Sequence, residues 1–279
     1  MKNLKPYSEN SFAFFETVVK KKRNEDLKDR LDLIKSDIQT KFNDYDTHFQ
    51  KNILESLSEH DKFSKQQIED FEELYSYKSA TFKKLLITLS TSDNKRKMGC
   101  PYCGIGEVST FDHYLPQSRF GAFTTHPKNL ICCCGKCNPK RGNRWLDANK
   151  KRATLNLYLD ILPDVQFLFV EIDIMIDKVE TKFSLKNSGN INPILFSMID
   201  SHYDRLELCD RFSENSSDII TSFVNTIKTY QNLGNFDSIL KNTLEALSKD
   251  QNAFGYNHWS TILKIELIKH KDFKLLLKY

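Results

Sequence analysis

Cys100-Pro-Tyr-Cys103 and Cys134-Gly-Lys-Cys137 are the two stretches that decide the local fold of this chain. Two Cys-x-x-Cys pairs at this separation have the spacing of a four-thiolate zinc site. A zinc ion bound in this way closes a loop-rich unit that is too small to bury a core of its own. The sequence therefore predicts one structural zinc ion held by these four cysteines.

A disulfide framework is the alternative reading of the cysteines. The first residues, Met1–Ser8, contain no apolar stretch of the length of an export signal, and a chain of 279 residues can build a core without disulfides. We therefore expect reduced thiols and a cytoplasmic protein. No apolar run approaches the roughly 18 residues of a membrane-spanning helix, so no membrane partner is expected.

Polar residues inside and just after the loop between the two pairs indicate chemistry as well as structure. They are Asp112, His113, Asn129 and Asn138, and a structural zinc site needs none of them. A neutral imidazole can take a proton from water at physiological pH. Carboxylate and amide oxygens suit Mg²⁺ or Mn²⁺ better than zinc. This pattern predicts a general base and a catalytic divalent metal on a zinc-stabilised finger.

These residues also resemble the motif of the HNH endonucleases, which have a ββα-metal fold. The resemblance covers residues 98–146 and rests on Cys-Pro-Tyr-Cys, Asp112-His113-Tyr-Leu-Pro-Gln-Ser and Asn129-Leu-Ile-x-x-Cys-x-x-Cys-Asn138-x-x-Arg141-Gly. It implies that His113 is the general base, that Asp112 and Asn138 bind the catalytic metal, and that Asn129 orders the loop. Asn138 stands where other members have histidine, which is a common variation.

His126 is a second candidate for the general base. It lies in Thr124-Thr125-His126-Pro127, which is typical of a turn because proline biases the preceding residue away from helix. We therefore rank His126 below His113.

The net charge of the chain is only +4, but the basic residues are clustered. This clustering favours a nucleic acid partner. Residues 128–152 contain eight Lys or Arg and a single acid, Asp147. A helix after Asn138 would turn basic side chains towards the phosphates at the metal. We expect DNA as the substrate, without base-specific readout, and the predicted contacts are Lys136, Lys140, Arg141 and Arg144.

The regions flanking the finger differ in their hydrophobic pattern. Residues 8–92 carry apolar stripes with helical spacing, including Phe49-Ile53-Leu54-Leu57 and a helix capped by Ser64. Residues 165–176 and 179–185 predict a β-hairpin, and helices follow, the last over 257–276. The predicted class is α+β and mainly helical, with a helical region over 1–95, the finger over 96–150 and a hairpin-plus-helix region over 151–279.

This arrangement of a central finger with helical flanks is similar to the stand-alone HNH proteins of bacterial anti-phage systems, and to the nuclease partner of a Septu-type ATPase. The resemblance implies a docking surface for an ATPase subunit, and the chain has no glycine-rich phosphate loop of its own. Three alternatives remain open at this point. They are a stand-alone restriction-type nuclease, a toxin-like nuclease that attacks DNA or RNA, and a non-catalytic zinc module that binds nucleic acid or protein.

Overall fold

A computed structural model describes residues 1–59, 63–91, 97–231 and 235–278, apart from the side chains of residues 252 and 253. The fold is mixed α+β and mainly helical, with two small antiparallel sheets, which confirms the predicted class. The chain divides into two compact units, residues 3–161, and residues 162–279 together with residues 1–2. The predicted boundary between residues 95 and 96 touches residues 92–96, which lie outside the described part.

Within the described residues of the first unit, five α-helices are followed by two strands and a short helix in ββα order. The helices are α1 (Ser11–Lys20), α2 (Glu25–Leu33), α3 (Lys35–Gln50), α4 (Lys65–Leu74) and α5 (Ala80–Ser90). The strands are β1 (Thr110–His113) and β2 (Leu130–Cys133), and the short helix is α6 (Cys137–Arg141). Strands β1 and β2 pair antiparallel, with His113 opposite Leu130.

Local capping sets where several of these helices begin. Ser64 starts α4 through a capping box, in which its hydroxyl accepts from the Gln67 amide and the Gln67 side chain accepts from the Ser64 amide. This confirms the cap predicted at Ser64. Asn10 and Ser79 cap α1 and α5 in the same general way, with side-chain oxygens that accept from amides of the first turn.

The helix predicted from Phe49, Ile53, Leu54 and Leu57 is wrong. Helix α3 ends at Gln50, and Asn52 then adopts a left-handed backbone conformation with φ of 55°. A left-handed residue ends a helix, and residues 54–56 form only a 3-10 turn. Ile53, which the predicted stripe buries, is 38% exposed.

Helix α3 joins the helical region to the loop between β1 and β2. Its residues Ile38, Phe42, Tyr45 and Phe49 recur at helical spacing, and all four are buried. The rings of Phe42 and Tyr45 lie 4.6 Å and 4.1 Å from the ring of His126 in that loop, measured between centroids. The core of residues 3–161 is therefore shared between the helices and the finger.

The part of the second unit that the structure describes consists of a hairpin and six α-helices. The hairpin strands β3 (Leu168–Ile174) and β4 (Val179–Leu185) pair antiparallel over their full length, which confirms the predicted hairpin. The helices are α7 (Pro193–Arg205), α8 (Leu208–Glu214), α9 (Ser216–Tyr230), α10 (Phe236–Phe254), α11 (Trp259–Lys269) and α12 (Phe273–Leu276). In the part of the chain that the structure describes, no helix is long and apolar enough to cross a membrane.

Aromatic packing and one asparagine organise this second unit. Phe212 of α8 stacks on Trp259 of α11 at 5.3 Å, and Phe183 of β4 packs edge-on against Phe212. The Asn257 side chain accepts from the amides of residues 167 and 168 and donates to the carbonyl of residue 165, so it holds the start of β3. The single helix predicted over 257–276 is wrong, because α11 ends at Lys269 and α12 starts at Phe273.

Replacing Phe42 tests whether the helices and the finger share one core. We expect Phe42→Ala to lower the free energy of unfolding by about 3–5 kcal/mol, because the ring is 1% exposed and contacts Phe12, Phe15 and His126. Denaturant unfolding followed by circular dichroism measures the loss. Leu33→Ala is the control, since Leu33 is 85% exposed and its replacement should change stability by under about 0.5 kcal/mol. Equal losses in the two variants would contradict this packing.

Candidate active site and metal centre

Cys100, Cys103, Cys134 and Cys137 form a buried cluster that can hold a zinc ion. Their sulfur atoms all lie within 4.8 Å of one another, and those of Cys103 and Cys134 are 3.9 Å apart. Four sulfurs placed tetrahedrally about 2.3 Å from zinc are about 3.8 Å from each other, so the cluster has the required size. Elsewhere in the described chain, no other group of three or more His, Cys, Asp or Glu side chains is placed to hold a metal.

Backbone amides around the cluster point at two of its sulfur atoms, and two glycines allow close packing beside it. The amide of Cys134 points at Cys100 Sγ at 3.3 Å, and the amide of Ile105 points at Cys103 Sγ at 3.4 Å. Such amides favour the thiolate form that a metal requires. Gly104 has φ of 65°, and a Cβ atom on Gly106 would lie 2.9 Å from Cys134 Cβ. A side chain at either position would therefore disturb the site.

His113 lies at the end of β1 and is half-buried. Its Nε2 atom is 2.9 Å from the carbonyl oxygen of Thr124, in the loop between β1 and β2. A carbonyl can only accept, so Nε2 carries the proton and Nδ1 keeps its lone pair. Burial lowers the pKa of His113 to about 4. The imidazole is therefore neutral at physiological pH and fixed in the tautomer that can accept a proton at Nδ1.

Asn129 ties the loop between the strands together. Its side-chain oxygen accepts from the Leu115 amide at 2.7 Å and from the Tyr45 hydroxyl at 3.3 Å. Its side-chain nitrogen donates to the carbonyls of Leu115 and Phe123 at 3.1 Å and 3.2 Å. The side-chain oxygen and nitrogen of this fully buried amide each make two hydrogen bonds inside the protein. Asn129 therefore orders the loop and does not contact a substrate.

Asp112 is directed away from His113, because neighbouring side chains on a strand alternate between faces. Its carboxylate is buried, and Oδ2 accepts from the Tyr102 hydroxyl at 2.8 Å and pairs with Arg141 Nε at 2.9 Å. Burial raises the pKa of Asp112, while the charge of Arg141 and the bond from Tyr102 act to lower it. Both of these contacts fall on Oδ2.

Asn138 is the second residue of α6 and faces β1. Its side-chain nitrogen donates to the carbonyl of Phe111 at 3.0 Å, which leaves the amide oxygen as an acceptor. The oxygens that could hold a second cation are therefore this amide oxygen and Asp112 Oδ1. Hard oxygen donors of this kind suit Mg²⁺ or Mn²⁺, although Arg141 already compensates the charge of the carboxylate.

The structure places Arg141 elsewhere than the helix geometry suggested. Its side chain is 2% exposed, and besides Asp112 it binds the carbonyls of Tyr114 and Gly142. The guanidinium also lies 5.4 Å from the centre of the Tyr114 ring. Arg141 was expected to reach a substrate phosphate, but all these contacts hold it inside the finger. The reason is the buried carboxylate of Asp112, which requires a compensating charge.

The other predicted contacts and the rival histidine have different environments. Lys136 and Arg144 are exposed and Lys140 is half-buried, so these three residues can contribute positive charge at the surface of the finger. His126 is fully buried between aromatic rings, and neither ring nitrogen has a hydrogen-bond partner among the described residues, although Nε2 lies 3.6 Å from Asp46 Oδ1. Burial lowers the pKa of His126 well below its ordinary value. His126 is therefore a core residue.

Sequence reasoning missed the side chains that hold the site residues in place. Tyr45 contacts Asn129, Tyr75 contacts His113 and Tyr102 contacts Asp112. Tyr102 had a local signal, since it lies between two of the zinc-site cysteines. Tyr45 and Tyr75 had no such signal, because they belong to helical patterns in which an aromatic residue predicts only packing.

Replacing a cysteine tests the zinc site. We expect one zinc ion per chain in the purified protein, and we expect Cys134→Ser to lose zinc and unfold the finger, because metal binding and folding are linked in such sites. Elemental analysis and circular dichroism measure the two effects. Cys209→Ser is the matched control, since Cys209 lies on α8 in the other unit and should leave the zinc content unchanged. A folded wild-type chain without zinc would refute the prediction.

Replacing Arg141 tests its structural role. We expect Arg141→Ala to lower the free energy of unfolding by about 3–5 kcal/mol, because it leaves the buried Asp112 carboxylate without its compensating charge. Chemical denaturation gives this value. Lys136→Ala, at the exposed N-cap position of α6, should change stability by under about 0.5 kcal/mol. An Arg141→Ala variant as stable as the Lys136→Ala control would show that the pair does not support the finger.

Comparison with known proteins shows a similarity to protein ea31 of Escherichia phage lambda. The two chains are 26% identical over 195 residues, an alignment that covers 62% of this chain and 62% of ea31. The chain thus spans about three-fifths of the length of that relative. No protein-family model and no solved structure matches the chain. The assignment of roles in the site rests on the residues and on their geometry.

Proposed function

We propose that this protein is a metal-dependent endonuclease of the HNH type that hydrolyses phosphodiester bonds of DNA. The observation that carries the proposal is the placement of His113 at the end of β1, with Nε2 bound to the Thr124 carbonyl and Nδ1 left to accept a proton. The proposal is supported by the ββα order of β1, β2 and α6 and by the thiol cluster beside them.

In the proposed reaction, His113 Nδ1 takes a proton from the water whose oxygen bonds to the phosphorus. The bond from phosphorus to the 3′-oxygen breaks, and this leaving oxygen then takes a proton from solvent. The Thr124 carbonyl stabilises the imidazolium that results, because Nε2–H remains bound to it throughout. Asn129 holds the loop that carries this carbonyl, through its bonds to Leu115 and Phe123. The base, the carbonyl and the loop thus act as one preorganised unit.

Asp112 and Asn138 are the residues that would hold the catalytic cation, Mg²⁺ or Mn²⁺. When bound, such a cation neutralises charge on the scissile phosphate and on the leaving oxygen. Asp112 would supply Oδ1 and Asn138 its amide oxygen, since their other polar atoms are engaged by Arg141, Tyr102 and Phe111. The four cysteines would hold a separate, structural zinc ion.

Positive charge on the finger supports a nucleic acid substrate. Lys136, Lys140 and Arg144 lie at or near α6, the helix that carries Asn138. Contacts from such side chains to phosphates position a backbone without reading its sequence.

We further propose that the nuclease works in the bacterial cytoplasm as an effector of an anti-phage system, with an ATPase subunit as its partner. The four-thiol cluster supports a reducing compartment, because only reduced cysteines can bind the metal. The helical parts that flank the finger would provide the docking surface.

A non-catalytic zinc module that binds nucleic acid or protein is the second candidate. The ion pair between Asp112 and Arg141 is the observation that favours it, because the carboxylate of the metal site already has a cationic partner. Cation-dependent cleavage of DNA separates the two functions, since a binding module would retain DNA without cutting it.

The test is nicking of supercoiled plasmid by the purified zinc-loaded protein with Mg²⁺ or Mn²⁺. We expect cleavage that stops on adding EDTA and returns with excess Mg²⁺, and we expect His113→Ala to lower the rate by on the order of 10²–10⁴-fold. Agarose gels resolve supercoiled, nicked and linear forms. DNA binding and zinc content should be unchanged in His113→Ala, because the imidazole contacts Thr124 and Tyr75, which are neither zinc ligands nor predicted DNA contacts.

The matched control is His48→Ala, at a partly exposed histidine on α3 whose ring Nδ1 bonds to the Asp44 carbonyl of its own helix. It should cut at the wild-type rate. If His113→Ala also cuts at the wild-type rate, the HNH assignment fails. Tight DNA binding by a wild-type protein that never cuts would support the non-catalytic module.

A further inference from the structure

We propose that Tyr75, which lies outside the finger at the end of α4, is the positioning residue for the His113 imidazole. The inference rests on the proposed nuclease function and deepens it. It means that the active site is completed by the N-terminal helical region and is not contained within the finger.

The contact is direct. The ring of Tyr75 lies 4.6 Å from the ring of His113, with an angle of 77° between the planes. This is the edge-to-face arrangement that aromatic pairs prefer. Tyr75 is itself held by Phe82 of α5, at 4.9 Å and 75°. Phe82 in turn packs against Phe111 of β1. The His113 imidazole therefore packs against the Tyr75 ring, which is held in place by the aromatic core.

Two constraints are needed to fix an imidazole, and the structure supplies both. The bond from Nε2 to the Thr124 carbonyl fixes one edge of the ring, but it permits the ring plane to turn about the bond. The Tyr75 ring blocks that rotation from the side. Together they determine where the Nδ1 lone pair points, and a small error in such a direction can lower a reaction rate up to about 100-fold.

The backbone conformation at the end of α4 determines the position of the Tyr75 side chain. Tyr75 is the C-cap of α4, and its extended conformation, with φ of −80° and ψ of 127°, turns the chain out of the helix. Burial raises the pKa of Tyr75 to about 12, so the phenol stays neutral at physiological pH. A neutral Tyr75 phenol competes little with His113 for the proton of the attacking water. The Tyr75 ring accordingly acts by steric contact with the imidazole.

The experiment compares three variants in the full-length, zinc-loaded protein. Tyr75→Leu removes the ring, Tyr75→Phe keeps it, and Tyr77→Leu replaces a tyrosine two residues away that is 46% exposed. Single-turnover plasmid nicking is measured over a range of DNA concentrations. We expect Tyr75→Leu to lower the rate at saturating DNA by about ten-fold, with the half-saturating DNA concentration unchanged. Tyr75→Phe and Tyr77→Leu should retain the wild-type rate.

A second measurement does not depend on activity. Proton–nitrogen correlation spectra of the histidine rings should show His113 protonated at Nε2, with its ring protons displaced from their ordinary chemical shifts by the ring current of Tyr75. In Tyr75→Leu that displacement should disappear, and in Tyr75→Phe it should remain. If Tyr75→Leu fails to fold, the wild-type and Tyr75→Phe spectra still decide the question, because an unshifted His113 ring in either overturns the proposal.

The outcomes separate the two proposals. If the wild type nicks DNA, His113→Ala does not, and Tyr75→Leu nicks at the wild-type rate, the positioning role is overturned and the nuclease assignment stands. If Tyr75→Leu changes the half-saturating DNA concentration and leaves the saturated rate unchanged, Tyr75 is a substrate contact and the positioning role is again overturned. A wild-type protein that does not nick DNA overturns the nuclease assignment, and with it any role in that reaction.

Discussion

The four thiols of Cys100, Cys103, Cys134 and Cys137 bring two separate chain segments together, with all four sulfur atoms within 4.8 Å of one another. The first pair precedes β1. In the second pair, Cys134 follows β2 directly and Cys137 is the first residue of α6, so a metal bound by the cluster would fix the position of α6 against the sheet. Asn138 follows the last thiol directly and faces the carbonyl of Phe111 as a result. A metal at the thiols would therefore set the distance between the residues proposed for chemistry without touching a substrate.

The thiol cluster alone does not hold the other half of the site. The loop between β1 and β2 is fixed by Asn129 from inside and by Tyr45 of α3 from outside, and His126 of the same loop lies among aromatic rings of that helix. His113 is flanked by this loop and by Tyr75 of α4. The helical region thus serves as a scaffold for the finger, which explains why residues 3–161 form one compact unit.

Sequence patterns predicted what depends on local spacing. The cysteine pairs, the cap at Ser64 and the alternation of the hairpin all specify their structure within a few residues. The apolar pattern predicted a helix that does not form beyond α3, because the left-handed backbone of Asn52 ends the helix there. The patterns also failed to predict the environment of Arg141, because its partner Asp112 is remote in sequence and helical spacing carries no information about the opposite element. Tyr75 was missed for the same reason.

The pair between Asp112 and Arg141 limits how a catalytic cation can bind in the proposed mechanism. One oxygen of Asp112 already accepts from Arg141 and Tyr102, so a cation would share the carboxylate through the other oxygen. The guanidinium would repel that cation and weaken its binding, whereas removing Arg141 would leave a buried charge that destabilises the finger. Weak binding suits Mg²⁺, which dehydrates reluctantly, is held through one or two carboxylates, and keeps several waters. The proposed site offers one carboxylate oxygen and one amide oxygen. It would accordingly favour a weakly bound cation, whose remaining ligands are water and the substrate phosphate, over a cation that stays tightly bound to the protein.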